Sequence, residues 1–561
     1  MVSKIRGLMQ NVIAIDTEFF QHYGNLHRPG GKFACLSVTD GLGVLTNNSL
    51  SADEAESLKY LLALKKFDGV IALQNAIYDI RQLIHNGIWP VGWEPAVWDT
   101  MMVEQDLFGG WYQSFSLQAL ARRHLAIYLE KDIRNEFVDA TELTSDMEQY
   151  AIQDANITRE IALAQQRIVY NEYANEFPWY WEIDQPAMWA VMNMKPIRMD
   201  VDGWIANAEA LLEEGHRIQE ELGFNVKSQP QVQAALKAAG IKKIRKDSSC
   251  DQESLEGWLK GANEHQTALI KGILRARHCR DAYAKYGPKF VATNVEEGNL
   301  IYPNWKTTGP ETSRMACSDP NMMNIPKKDE GLRYRAYFLA GPGNELLVVD
   351  QNQQEPCYSA QLSRDRALRQ EIIDGVDLHQ VHADLFKVNR HRGKKINLSL
   401  NYGKSAWGLA AEHNLELEEV EEGLRARRQH YPEYHAWMDR QKRQAERLNY
   451  VNTVMGRRVW TNPYSYQAPN NAINSPVQGS AAEHAKLALV YTRELCKAKG
   501  LEFLVNIMVH DEMVLDVPKG LIPQYKEIVT EAWLEAGHKL MPNVPTKLVI
   551  KTGPNWRDLV A

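Results

Sequence analysis

In the segment ELLVVDQNQQEP an apolar run, Leu346 to Val349, ends on Asp350. A carboxylate there projects from a strand end where a buried sheet meets solvent, a place suited to a hard metal ion that takes oxygen ligands. Much later, FLVNIMV and MVLDV read as two apolar strands joined at the polar turn HDE, which lifts Asp511 and Glu512 to the tip of a hairpin. Taken singly, each is an ordinary strand-end or turn acid. Between them Arg390, Lys394, Leu398 and Tyr402 recur at every fourth position. They therefore share one stripe of a helix, drifting by about 40° per step. Two cations at the N-terminal end of such a stripe suit a triphosphate, and a ring further along suits stacking on a base.

A second set of acids lies near the N-terminus. Apolar NVIAI leads into Asp16-Thr17-Glu18, and because strand side chains repeat every second residue both carboxylates share a face. Asp79 follows Asn75 in NAIYDIRQL, and Asp154 comes four residues after Tyr150 on a predicted helix. Four such carboxylates repel one another unless metal ions neutralise them.

The elements that must position these groups belong to a large soluble chain. Its 561 residues exceed a single core and suggest about three to four packed units. A composition of 44% hydrophobic and 24% charged residues excludes disordered and fibrous classes. No stretch of about 18 uninterrupted apolar residues predicts a membrane span, and the opening MVSKIRGLMQ lacks a secretory pattern, so a cytoplasmic location and no membrane partner are expected. Six cysteines with no CxxC pair argue against zinc sites and disulfide frameworks. The net charge of -7 does not suggest a nucleic-acid binder, yet basic residues cluster at Lys237, Lys242, Lys243, Arg245 and Lys246, and again at Arg275, Arg277, Arg280, Lys285 and Lys289.

Residues 11 to 170 alternate the apolar runs NVIAID, FACLSVTD and GVIALQN with helical patterns such as SLQALARRHLAIYL, which reads as an α/β unit. From about 203 to 300 the pattern turns helical, as in WIANAEALLEEGHRIQEEL, and SQPQVQAALKAAG offers Ser228 as N-cap, Gln231 three residues on, and Gly240 as terminator. A helical arm carrying basic residues fits an element that grips a duplex. After residue 300, the strand-like runs ELLVVD, FLVNIMV and MVLDV are separated by helices from about 361 to 473, so a helical insertion interrupts one sheet.

RHRGKKINLSLNYG resembles the fingers-helix motif of family A DNA polymerases, the DNA polymerase I type, and VVDQNQQEP and VHDE resemble that family's first and third palm motifs in order and spacing. TSRMACSDPNMMNIP, the DLH at Asp377 to His379, VMGRR at 454 to 458, NSPVQG at 474 to 479 and the terminal GPNW agree, from about residue 184 to the end. The resemblance implies that Asp350 and Asp511 hold two Mg²⁺ ions, one lowering the pKa of the primer 3′-hydroxyl and the other bridging the triphosphate. It implies that Arg390 and Lys394 grip the triphosphate, with Lys394 a proton donor to the leaving group, and that His379 and Gln353 are further contacts to the nucleotide or its surroundings. Glu355 matches the position that closes over the sugar and excludes a 2′-hydroxyl, the argument for DNA synthesis over an RNA polymerase. Tyr402 would stack near the templating base, and Arg314, Asn474, Gln478 and His510 would contact primer and template through the minor groove or the terminus. The chain departs from the family at Leu398, where a ring is usual, at Gln351-Asn352 in place of Tyr-Ser, and at Met323 in place of Gln.

Asp16, Glu18, Asp79 and Asp154, with Tyr150, resemble the DEDD-type 3′→5′ exonucleases, which implies a second two-metal site that activates a water held by Tyr150. Mn²⁺ is an expected substitute for Mg²⁺ at both sites. The expected architecture is mixed α/β: an RNase H-like exonuclease domain over 1–175, then a right-hand polymerase domain over 176–561 with its thumb at about 203–300, palm at about 301–360 and 474–561, and fingers at about 361–473. The family's separate 5′-nuclease domain is expected to be missing, because the exonuclease pattern starts almost at residue 1. The expected partners of this monomer are primer-template DNA, dNTPs and replisome proteins such as a helicase and a single-strand-binding protein, in a bacterium or phage-infected host cell. A bacteriophage replicative role leads, with bacterial repair as the alternative. A nuclease or nucleic-acid-binding scaffold with an inactive polymerase half is disfavoured by intact Asp350, Lys394 and Asp511.

Overall fold

The computed structural model describes residues 11–20, 31–40, 49–129, 132–173, 177–241, 244, 248–259, 261–326, 333–401, 403–413 and 415–559. Tyr402 and the basic residues Lys242, Lys243, Arg245 and Lys246 lie outside them. Among the described residues no helix is long and apolar enough to cross a membrane.

The run VIAIDTEFF forms the strand Val12–Phe20 at the centre of a five-stranded sheet. It pairs antiparallel with Lys32–Asp40, which pairs with Ser49–Ser51, and parallel with Val70–Leu73, which pairs with Val97–Asp99. All four residues of Val70–Leu73 are buried, as befits a parallel strand covered on both faces. The 28-residue helix Ser145–Glu172 packs on the central strand. This mixed sheet, antiparallel at one edge and parallel at the other, agrees with the RNase H-like expectation. One expected helix is shorter than its apolar pattern: Leu117–Leu125 stops where Ala126 adopts a left-handed φ of 58°.

The helices Val201–Leu222 and Glu264–Tyr286 pair as an arm. Gly215 permits their approach, since a Cβ there would meet Cys279 Cβ at 3.0 Å and the Ala276 carbonyl at 3.2 Å. A separate core at the arm's tip holds Val226, Val232, Leu236, Leu255, Ile270 and Ile273. Two readings change here. Ser228 is the N-cap of the helix Gln229–Ala238 as expected, but its hydroxyl makes no capping bond, and the Gln231 side chain accepts the Asn225 N–H at 2.7 Å rather than closing a capping box. Much of the basic face is also spent internally: Arg275 pairs with Glu214 at 2.7 Å, Arg280 donates to Gln219 at 2.7 Å, and Arg277 donates to the Val226 and Cys250 carbonyls.

The third assembly is an antiparallel sheet in the order Val505–Val509, Glu512–Pro518, Asn344–Gln351, Leu548–Gly553. The first three strands match the expected runs; the last has no counterpart among them. Against this sheet lie the helices Ala468–Ala498 and Ile522–Leu540. The helices from Gln354 to Ala498 are inserted between Asn344–Gln351 and Val505–Val509. A buried charge cluster joins the C-terminal part to the N-terminal one. Arg457 reaches Asp106, Asp184 at 2.5 Å and Glu483 at 3.2 Å, and Lys486 also pairs with Asp184. Burial drives the Asp106 carboxyl well above its ordinary range, with the Arg457 charge opposing it.

Candidate active sites

In the N-terminal sheet, Asp16 and Glu18 share one face of the central strand, and Asp154 comes from the long helix packed on it. Each offers a carboxylate oxygen, and these atoms lie within 4.8 Å of one another. Three carboxylates this close form a donor set for hard divalent cations. Asp79, 5% exposed, accepts the Thr17 hydroxyl at 2.7 Å and lines the same cleft of about 490 Å³ as the other three acids and Tyr150. Burial, and then the charge of Asp154, push the Tyr150 phenol above its ordinary range, so it is a protonated donor at neutral pH.

Sequence reasoning missed what holds Asp79 in place. Its helix, Ala76–His85, begins after Asn75 in a left-handed conformation with φ of 65°. The buried carboxylate of Asp99 accepts the N–H groups of Asn75 at 3.1 Å and Ala76 at 2.9 Å, while also capping the helix Thr100–Phe108. The only local signal was an acid ending the short strand Val97–Asp99. Asn304, Trp305 and Lys306, far along the chain, also wall this cleft.

At the second site, Asp350 is 8% exposed and stands in register with Glu512 on one neighbouring strand and Val549 on the other. The hairpin reverses in two residues, His510 and Asp511, with His510 at φ 57°. The Asp511 carbonyl accepts the Gln351 N–H at 3.0 Å. This bond ties the turn to the strand that carries Asp350, so the two aspartates belong to one end of the sheet. Glu512 departs from the expectation of a hairpin tip: it opens the following strand, buried, and accepts Arg335 at 3.1 Å and the Trp556 indole N–H at 2.7 Å. The Arg335 guanidinium lies 3.9 Å over the Trp556 ring, and burial pulls its pKa down against the opposing charge of Glu512. Trp556 was visible as the end of GPNW; Arg335 carried no signal.

Arg314 donates to Glu355 at 2.7 Å. Glu355 also lines one small cleft with Asn474 and Gln478, both on the helix Ala468–Ala498, and with buried Tyr434, which the sequence reading did not single out. Arg314 and His510 line another with Gln354 and Met323. Gln353 precedes the helix Gln354–Ser363 with φ 55°.

The helix Arg390–Asn401 buries Gly393, Ile396, Asn397 and Leu400 and exposes Arg390, Lys394 and Leu398, so the expected stripe lies on its outer face. Arg390 pairs with Asp377 at 2.5 Å, which holds that carboxyl below its usual range. His379 contacts Asn397 at 3.2 Å; burial, and then the charges of Lys394 and Arg390, keep its imidazole below the ordinary value against the opposing Asp377. A Cβ on Gly393 would meet the His379 carbonyl at 2.5 Å, so only glycine lets these two helices bring the cations beside the histidine.

The chain that carries these two constellations is similar to known proteins. A family model for DNA polymerase family A matches residues 203–558, and one for 3′-5′ exonuclease matches residues 2–169. The chain is similar to DNA polymerase I of Pseudomonas aeruginosa, 28% identical over 533 residues that cover 86% of this chain and 56% of that protein. It is also similar to the thermostable DNA polymerase I of Thermus aquaticus, 28% identical over 67% of this chain and 48% of that protein. DNA polymerase I of Aquifex aeolicus is 25% identical, with 95% of each chain covered. The chain thus spans about half the length of several curated relatives it matches. Its fold is similar to that of the POL domain of Pol1 from M. smegmatis, solved in complex with DNA primer-template and dNTP, with a TM-score of 0.81 at 22% identity over 98% of this chain and 96% of that one. The chain belongs to DNA polymerase family A, with a 3′-5′ exonuclease domain ahead of its polymerase domain.

Proposed function

We propose that this chain is a template-directed DNA polymerase that adds dNTPs to a primer 3′ end and edits with its 3′→5′ exonuclease. The observation that carries the reading is the pair Asp350 and Asp511, brought to one sheet end by the bond from Gln351 to the Asp511 carbonyl. Primer-template DNA and dNTPs are the proposed substrates, in keeping with the ligands of the similar solved structure. In this reading residues 1–175 form the exonuclease domain and 176–561 the polymerase, with thumb at about 203–300, palm at about 301–360 and 474–561, and fingers at about 361–473.

Asp350 and Asp511 would hold Mg²⁺ in the polymerase site, and Asp16, Glu18, Asp79 and Asp154 in the exonuclease site, two ions in each, with Mn²⁺ as a substitute. Such ions lower the pKa of the attacking hydroxyl or water and offset charge on the phosphate. Arg390 and Lys394 present their charges to the triphosphate from the exposed face of their helix. For Arg390 this means exchanging Asp377 for phosphate, and the exposure of that pair keeps the exchange cheap. Glu355, steadied by Arg314, stands against the 2′ position of the incoming sugar, and Asn474, Gln478 and His510 contact the primer-template. Tyr402 stacks near the templating base. In the exonuclease cleft, protonated Tyr150 orients the attacking water. The role we favour is phage-type replication by a monomer in the cytoplasm of a bacterium or infected host, with helicase and single-strand-binding protein as partners.

One labelled primer-template, incubated with Mg²⁺ with and without dNTPs, tests both activities. Template-dependent extension with dNTPs and 3′ digestion without them are expected. A folded sample that extends nothing would overturn the polymerase reading.

A further inference from the structure

The cleft that Glu355 lines has a volume of about 10 Å³, and polar Ser359, Tyr434, Asn474 and Gln478 share its wall. That is room for about one water molecule, which needs two to four polar partners. Tyr434 is fixed in this wall from three sides. Its N–H is accepted at 3.0 Å by the buried carboxylate of Asp365, which also caps the helix Arg366–Asp374. Its ring stacks on Trp437 with centroids 5.8 Å apart, and the Arg427 guanidinium lies 5.0 Å over it. The residue is 3% exposed, yet its hydroxyl has no hydrogen-bond partner among the described residues. A tyrosine hydroxyl is normally matched when the ring is buried, because leaving it unmatched costs its hydration. Glu355 has the complementary need. Arg314 takes one of its carboxylate oxygens at 2.7 Å, but the two side chains are 29% and 31% exposed, so the pair is weakly held. Arg314 is also an expected contact to primer and template, which would draw it away from Glu355.

We propose that the cleft binds one ordered water, which accepts from the Tyr434 hydroxyl and donates to the Glu355 carboxylate. Tyr434 is thereby a positioning residue for the exclusion of ribonucleotides. The proposal rests on the reading of Glu355 against the 2′ position of the incoming sugar. Through the water, a ring that cannot shift holds the carboxylate in place whether or not Arg314 is engaged with DNA.

The test is single-nucleotide extension by the full chain with Mg²⁺, opposite a template guanine, with dCTP and with CTP. The ratio of the two kcat/KM values measures sugar discrimination. Tyr434→Phe keeps the ring and its packing and is expected to lower that ratio about 10-fold, near the low end for one hydrogen bond to a charged group. The change should come from a lower KM for CTP, with dCTP little affected. In Glu355→Ala the same substitution should change nothing further, because two residues acting through one contact are not additive. An unchanged ratio in Tyr434→Phe overturns the proposal, and so does an equal loss with both nucleotides in both backgrounds, which is what damaged packing alone would give. If Glu355→Ala leaves the ratio as in the wild type, the reading of Glu355 fails on its own account and the positioning role falls with it. The water site is then decided by crystal structures of the wild type and Tyr434→Phe. A water within hydrogen-bond distance of Tyr434 and Glu355 in the first and lost in the second sustains the site; no such water in the wild type overturns it.

Discussion

Replacing Arg335 with methionine isolates the support beneath Asp350 and Asp511. The side chains of Arg335 and Glu512 are 4% and 3% exposed, and the pair closes at 3.1 Å. Removing one partner of such a pair leaves a buried, uncompensated charge, a loss of roughly 3–5 kcal/mol. Because Trp556 still donates to Glu512 at 2.7 Å, the lower end, about 3 kcal/mol, is expected for Arg335→Met. For a cooperative unit of about 150–250 residues this corresponds to a Tm lower by roughly 6–12 °C. Thermal unfolding of wild type, Arg335→Met, Glu512→Gln and the double variant supplies the check. The double variant should recover most of the loss, since neutralising Glu512 removes the stranded charge. Primer extension should fall too, because Glu512 is joined to Asp511 and stands in register with Asp350. A single-variant loss below about 1 kcal/mol, or a double variant as unstable as the sum of the singles, would refute the reasoning.

Asp511→Ala should abolish extension but leave 3′ digestion, and Asp16→Ala should do the reverse; loss of both activities in either folded variant argues against two separate sites. Glu355→Ala should raise ribonucleotide incorporation relative to deoxynucleotide, read from single-nucleotide extension, and an unchanged ratio removes Glu355 from sugar selection. Two buried histidines predict acid sensitivity. His382 lies at about 3, donating to the Leu378 carbonyl and accepting from Arg427, and His484 lies at about 4, donating to the Trp533 carbonyl and accepting from Tyr358; burial is the main cause for both. Unfolded, each titrates near 6.5, so the unfolded chain binds more protons and stability falls as pH drops from about 6.5 toward 4. The pair contributes a slope of up to about 2.7 kcal/mol per pH unit. Urea unfolding across that window checks it, and a His484→Gln slope no shallower than that of the wild type sinks the assignment.

The legible features were those written locally. An apolar run ending on Asp350, two runs around His510 and Asp511, a four-residue repeat from Arg390, and the alternation at Asp16 and Glu18 each report one element and one face, because strand and helix periods act over a few neighbouring residues. Glu512 was read as a tip residue because a turn of unknown length leaves the neighbour of Asp511 on either side of it. Ser228 stands at the N-cap as its spacing to Gln231 implied, but the capping box does not close, because the Asn225 N–H that Gln231 accepts comes from a preceding turn whose geometry the spacing does not encode.

From the sequence by itself came the candidate acids, the two sheets that bear them, and the cation stripe between Asp350 and Asp511. Tertiary structure decided which charges are spent and which remain. Arg275 and Arg280 are committed to the arm, Arg123 to Glu104, Arg335 to Glu512, and Arg457 to three acids, one of them 351 residues away. The physical reason is that a buried charge is tolerable only where packing supplies an opposite one. Such partners are chosen by distance in space, which no spacing along the chain records.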